Sequence, residues 1–84
     1  YLLNREDDKL LCRYILHSAE RFGSIIDGMP VIDLSQESLA SMTGIPRQRI
    51  NRILNQWKEW GWVELQYGNI FIKDNVTMTA FQNS

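Results

Sequence analysis

Two helix-forming stretches meet at Gly44-Ile45-Pro46, and that junction constrains the chain more than any other feature of it. Glycine suits the left-handed position that closes a helix, and proline suits the first turn of a new one, where its missing N–H is no loss. On the near side, Ser35 is placed to cap a helix over Gln36 to Thr43, with Leu39, Ala40 and Met42 on its apolar face and Glu37 in its first turn. On the far side, a helix is expected from Pro46 to about Trp60, ending at Gly61. Two helices joined by a short glycine-containing turn form a helix-turn-helix.

The flanking segments extend this unit. Val63 and Leu65 alternate with Glu64 and Gln66, and Ile70 and Ile72 with Phe71 and Lys73, so a hairpin closing through Tyr67, Gly68 and Asn69 follows directly as a wing. Upstream, Leu10, Leu11, Tyr14, Ile15, Ala19 and Phe22 recur at helical spacing from Asp7 to Phe22, with Asn4 as a candidate cap, Glu6, Asp7 and Asp8 at the positive end, and Gly23 as the stop. Ser24 to Gly28 reads as a turn. Met29 to Leu34, with Pro30 inside it, reads as a short edge strand. Asp74 to Ser84 has little pattern, with one short turn around Thr77 to Phe81. The expected fold is α+β: a winged helix-turn-helix with a three-helix core, a short edge strand and a C-terminal β-hairpin wing. It forms one domain over residues 1–84, with its core at about 7–74 and a tail at 75–84.

Composition bounds what such a domain can do. The chain has 84 residues, of which 44% are hydrophobic, enough for one modest core and too few for a cleft between subdomains. One cysteine, Cys12, makes neither an internal disulfide nor a metal cluster and suits a reducing cytoplasm. No apolar run approaches the roughly 20 residues of a membrane span, and no signal-peptide pattern opens the chain. The first residue is Tyr1 rather than Met, so a longer protein is expected around this segment. The net charge of −1 argues against a nucleic-acid partner until its distribution is examined. Between Pro46 and Lys58 stand four cations (Arg47, Arg49, Arg52, Lys58) and no acid, whereas the other 71 residues hold five cations and all ten acids.

On a helical wheel centred on Ile50, Ile53, Leu54 and Trp57 share its side, and Gln48, Arg52, Asn55 and Glu59 fall opposite. Arg49 and Asn51 flank the exposed side, and Arg47 stands in the first turn. A basic, amide-bearing face suits the major groove, since arginine pairs bidentately with guanine, and glutamine or asparagine with adenine. The competing reading is a winged helix that binds a protein partner, which would call for an apolar exposed face; this one is polar. An enzyme has no supporting constellation. His17 and Cys12 sit five residues apart, about 140° round a helix, and do not converge on a metal. Asp7 and Asp8 are helix-start acids. Trp57, Trp60 and Trp62 could suggest a stacking platform for single strands, but Trp57 lies on the buried face and reads as core.

The run from Leu34 to Leu54, LSQESLASMTGIPRQRINRIL, resembles the helix-turn-helix of the cyclic-AMP-receptor/FNR (CRP/FNR) family of bacterial transcription regulators. The upstream "AERFG" and "DGMPVIDLS" and the downstream W---GWV pattern are similar too, so the likeness covers about residues 7 to 74. It implies base reading by Arg47, Gln48 and Arg52. It implies backbone or flanking contacts by Ser35, Gln36, Arg49, Asn51, Asn55, Gln66 and Tyr67. Two departures from the family pattern stand out: Pro46 replaces the usual serine, and Gln48 replaces a frequent glutamate. Glutamate accepts from cytosine whereas glutamine prefers adenine, so the base under Gln48 is expected to differ from the family's. The resemblance also implies double-stranded DNA with an inverted-repeat operator as partner, an upstream sensor domain with an effector the sequence does not specify, a long dimer helix making a homodimer, and contact of the Gly23 to Gly28 loop with RNA polymerase. No cofactor is expected within this domain.

Overall fold

The computed structural model describes residues 5–84. In chain order it contains α1 (Arg5–Phe22), β1 (Ser24–Ile26), β2 (Met29–Ile32), α2 (Gln36–Thr43), α3 (Arg47–Glu59), β3 (Val63–Gln66), β4 (Asn69–Ile72) and α4 (Asn75–Gln82). The expected cap Asn4 lies outside the described residues. The strands form one antiparallel sheet in the order β1-β2-β4-β3; α1 packs on β2 and α3 on β3, and α2 and α4 pack on those helices. The expected α+β winged helix-turn-helix is present, with one hairpin and one helix more than the pattern suggested.

The added hairpin corrects the reading of residues 24–34. Ser24–Ile26 is a strand, not a turn, and pairs with β2 through Asp27 and Gly28, whose φ angles of 53° and 79° are both positive, as a two-residue type I′ hairpin turn requires. β2 is consequently not an edge strand, since β4 lies on its other side with Val31 opposite Phe71 and Ile32 opposite Ile70. Pro30 is tolerated because Ile26 and Met29, next to the turn, form the hydrogen-bonded pair. Ile25 and Pro30 therefore meet as a non-bonded pair, so the Pro30 nitrogen faces away from β1, and the β2–β4 register begins one residue later, at Val31. At the head of this hairpin, Gly23 is fixed by close approach: a β-carbon there would stand 2.4 Å from the Ala19 carbonyl oxygen and 2.9 Å from that of Val31.

The second correction concerns the C-terminal segment, which is no tail. Asp74 caps α4 by accepting from the Thr77 N–H and hydroxyl, and these bonds hold its carboxyl below the usual carboxylate range. α4 packs on α1, and Met78 is completely buried there. The core joins Leu11, Ile15, Leu39, Ile50, Trp57 and Met78 across all four helices. On α1 the buried stripe runs through Leu11, Cys12, Ile15 and Ser18, leaving Leu10 at its edge. Phe22 lies on that stripe by angle, in the last turn of α1, yet it is 80% exposed. On α2 only Leu39 is buried and Met42 is exposed, against expectation for Met42. Pro46 is the N-cap of α3 rather than part of its first turn, with ψ at 140° and no side-chain cap.

Cys12 lies beneath α4, donating to the Met78 carbonyl oxygen at 3.3 Å, and burial pushes its thiol up to about 12, an effect that nearby Arg13 only partly offsets. The native thiol is therefore expected to resist alkylation at pH 8 and to react only as the chain unfolds. Met78→Ala should cost about 2–5 kcal/mol of stability and accelerate that alkylation. Prompt labelling of the unaltered native chain would contradict this packing.

Candidate nucleic-acid interface

The surface around α3 is built from three helix and turn ends. The first is the start of α2. Ser35 accepts from the Ser38 N–H at 3.0 Å and its own hydroxyl donates to Ser38 Oγ, so the cap occupies the Ser35 side chain. What remains for an anion at this end is the backbone N–H of Gln36 and of Glu37, unused by the helix itself, and the hydroxyl proton of Ser38, a donor that sequence reasoning passed over.

The second is the start of α3. Gly44, with φ of 78°, ends α2 in the left-handed conformation and its N–H bonds the Ala40 carbonyl. Two residues later Pro46 opens α3, its carbonyl accepting from the N–H groups of Arg49 and Ile50. The buried stripe Ile50, Ile53, Leu54 and Trp57 fixes the rotation of α3, and Arg47, Gln48, Arg52 and Asn55 are all exposed. Gln36 reaches this face from α2. Its carbonyl oxygen accepts from Asn51 Nδ2 at 3.1 Å, and Asn51 in turn accepts from Asn55 Nδ2 at 3.0 Å. The three amides form a chain tying α2 to α3 beside one shallow concavity lined by Gln36, Arg47, Gln48 and Asn51.

The third is the wing. β3 and β4 pair Gln66 with Asn69, so the turn is Tyr67-Gly68 alone, one residue shorter than expected. Both φ angles are positive, 52° and 79°. Glycine adopts that conformation freely, whereas a bulky side chain does so under strain of about 1–3 kcal/mol. Tyr67 bears it while 97% exposed, so no packing within the domain accounts for the residue. A groove lined by Ser35, Gln36, Arg47, Gln66 and Tyr67 joins the wing to both helix starts.

Nine of the ten sequence-predicted residues thus share a continuous surface. Arg49 flanks that surface, and its guanidinium pairs with Asp7 of α1. Among the described residues, Arg47, Arg52 and Lys58 make no ion pair. Of the tryptophans, Trp57 is buried and stacks on half-buried Trp62 at 5.9 Å, while Trp60 is 54% exposed beside the C-terminal end of α3. These rings carry the core outward to the wing and do not form a separate platform. No group of three His, Cys, Asp or Glu residues able to hold a metal occurs among the described residues, and no helix is long and apolar enough to cross a membrane.

The profile of the Crp-like helix-turn-helix domain family matches residues 11–80. The chain belongs to that family. A CRP-like cAMP-activated global transcriptional regulator of Mycobacterium tuberculosis is 30% identical over 67 residues, which cover 77% of this chain and 30% of that protein. Among solved structures, a CRP/FNR-family transcriptional regulator from Thermus thermophilus superposes with a TM-score of 0.86 at 18% identity, over 92% of this chain and 40% of its own. The CO-dependent transcription factor CooA from Carboxydothermus hydrogenoformans superposes at 0.80 with 25% identity, over 92% and 37%. This Crp-like domain therefore spans about 30% of the length of the curated relatives it matches. It is a DNA-binding domain of the regulator type, in a family of transcription regulators rather than enzymes.

The strained wing tip yields a prediction. Tyr67→Asn relieves the left-handed backbone and should raise stability by about 1 kcal/mol, while weakening binding to duplex DNA. A variant that gained stability with unaltered DNA affinity would remove Tyr67 from the interface.

Proposed function

We propose that this domain recognises a specific double-stranded DNA sequence by inserting α3 into the major groove, with Arg47, Gln48 and Arg52 reading base edges. The carrying observation is the exposure of Gln48 and Arg52 on one side of α3 and of Arg47 in its first turn, with no carboxylate partner among the described residues for either arginine. α3 has 13 residues, and a helix of that length is about 20 Å long. Its first two turns bear the readers, so its N-terminal half would enter the groove. The N–H groups at the start of α2 and the wing tip would flank it on the phosphate backbone, the pattern in which phosphate contacts set register and base contacts set sequence. Each good bidentate pair would contribute about 1–3 kcal/mol of discrimination.

In the whole protein, a homodimer would present two α3 helices about 34 Å apart to an inverted repeat. An upstream sensor would control that spacing; the named relatives respond to cAMP and to CO, and the effector here is left open. The β1–β2 hairpin, with Ile25 68% exposed, is the candidate contact for RNA polymerase. Such a regulator acts where the DNA is, in the cytoplasm.

Selection from a random duplex pool tests the reading. The expected product is a site with guanines in each half, lost in Arg52→Ala and changed at one position in Gln48→Glu. Salt-sensitive binding without enrichment, indifferent to Arg52, would leave only a non-specific basic helix.

A further inference from the structure

We infer that Asp7 limits the phosphate affinity of the DNA interface, because it holds the Arg49 guanidinium and so withdraws one cation from the set available to phosphate. The inference rests on the proposed docking of α3 on DNA. Arg49 is the third residue of α3 and flanks the face that carries Gln48 and Arg52. Of the four cations on or beside that face, it is the one with a carboxylate partner among the described residues. The partner is not a helix neighbour: Asp7 lies 42 residues earlier, in the first turn of α1. The two side chains remain 43% and 25% exposed, so the pair stands open at the rim of the interface and is not sealed into the core.

A phosphate offers arginine the same fork of acceptor oxygens as a carboxylate does. For Arg49 that acceptor is already supplied. A DNA phosphate must compete with Asp7 for this guanidinium, and the Asp7 carboxylate then lies close to a polyanion. Both costs fall on binding through phosphate neutralisation, the term that supplies essentially all sequence-independent affinity. The base-edge contacts of Arg47, Gln48 and Arg52 do not involve the pair. Asp7 therefore lowers the phosphate-dependent part of the affinity, the part that a duplex of any sequence offers. Because α1 supplies the carboxylate, the seating of α1 against α3 sets how much positive charge the interface presents.

The test is a double-mutant cycle on the 84-residue chain, measuring the slope of log affinity against log salt on a duplex of arbitrary sequence. Asp7→Asn should tighten binding and steepen the slope by about 0.9, the increment for one further phosphate neutralised. Arg49→Ala should leave the slope at its original value, and Asp7→Asn combined with Arg49→Ala should return to it. The inference is overturned if Arg49→Ala shallows the slope by about 0.9 while Asp7→Asn leaves it unchanged, since Arg49 would then already contact phosphate. It is also overturned if the steeper slope of Asp7→Asn survives in the double variant, which would mean that loss of an acid alone is responsible. Salt-independent binding by the unaltered chain would instead fail the docking reading, and the inference with it.

Discussion

The burial of one side of α3 is the constraint on which the rest depends. Ile50, Ile53, Leu54 and Trp57 are each at most 3% exposed. Rotating the helix to free any reader would pull this stripe out of the core, at roughly 1.5–3 kcal/mol for each large apolar side chain exposed. The hydrophobic effect thus does the positioning that recognition requires. The side chains proposed to read DNA need no packing of their own, because the opposite face of the same helix holds them in place. The amide chain from Gln36 through Asn51 to Asn55 adds a second constraint on the exposed side, fixing the start of α2 relative to α3 where both would meet phosphate.

Electrostatics in this domain is a matter of location. A chain of net charge −1 is no obvious partner for a polyanion. Its acids, however, lie outside the Pro46 to Lys58 segment, and phosphate affinity follows the field at the contact surface rather than the total. The acids are also used structurally: Asp74 caps α4, Glu37 stands in the first turn of α2, and Asp7 takes Arg49. That last pair is the point at which the charge segregation seen along the chain overstates the charge available in space.

What was legible in the sequence follows from which forces are local. α3 declared itself because its apolar spacing, its glycine and proline boundaries and its charge all agree, and the exposed residues on its wheel are those the structure exposes. The wing was equally clear from strict alternation on both sides of a turn. β1 was not, because its three residues are all exposed and so carry no alternation; pairing with β2, not burial, makes it a strand. α4 was missed for a related reason: it buries a single residue, Met78, and its cap at Asp74 is the only strong local signal it has. Phe22 was misplaced because a wheel gives direction and says nothing about where the neighbouring element ends. The partner of Arg49 was out of reach altogether, since the contact joins residues 42 positions apart and only the folded packing of α1 on the helix-turn-helix creates it.

The most direct measurement of the central claim is a titration of the isotopically labelled chain with a short duplex, following backbone amide shifts by NMR. The perturbed amides are expected to cluster at the start of α2, along the exposed face of α3 and at the Tyr67-Gly68 turn, with α4 and β1 unmoved. Perturbation centred on the β1–β2 hairpin or on α4, with α3 silent, would contradict that claim.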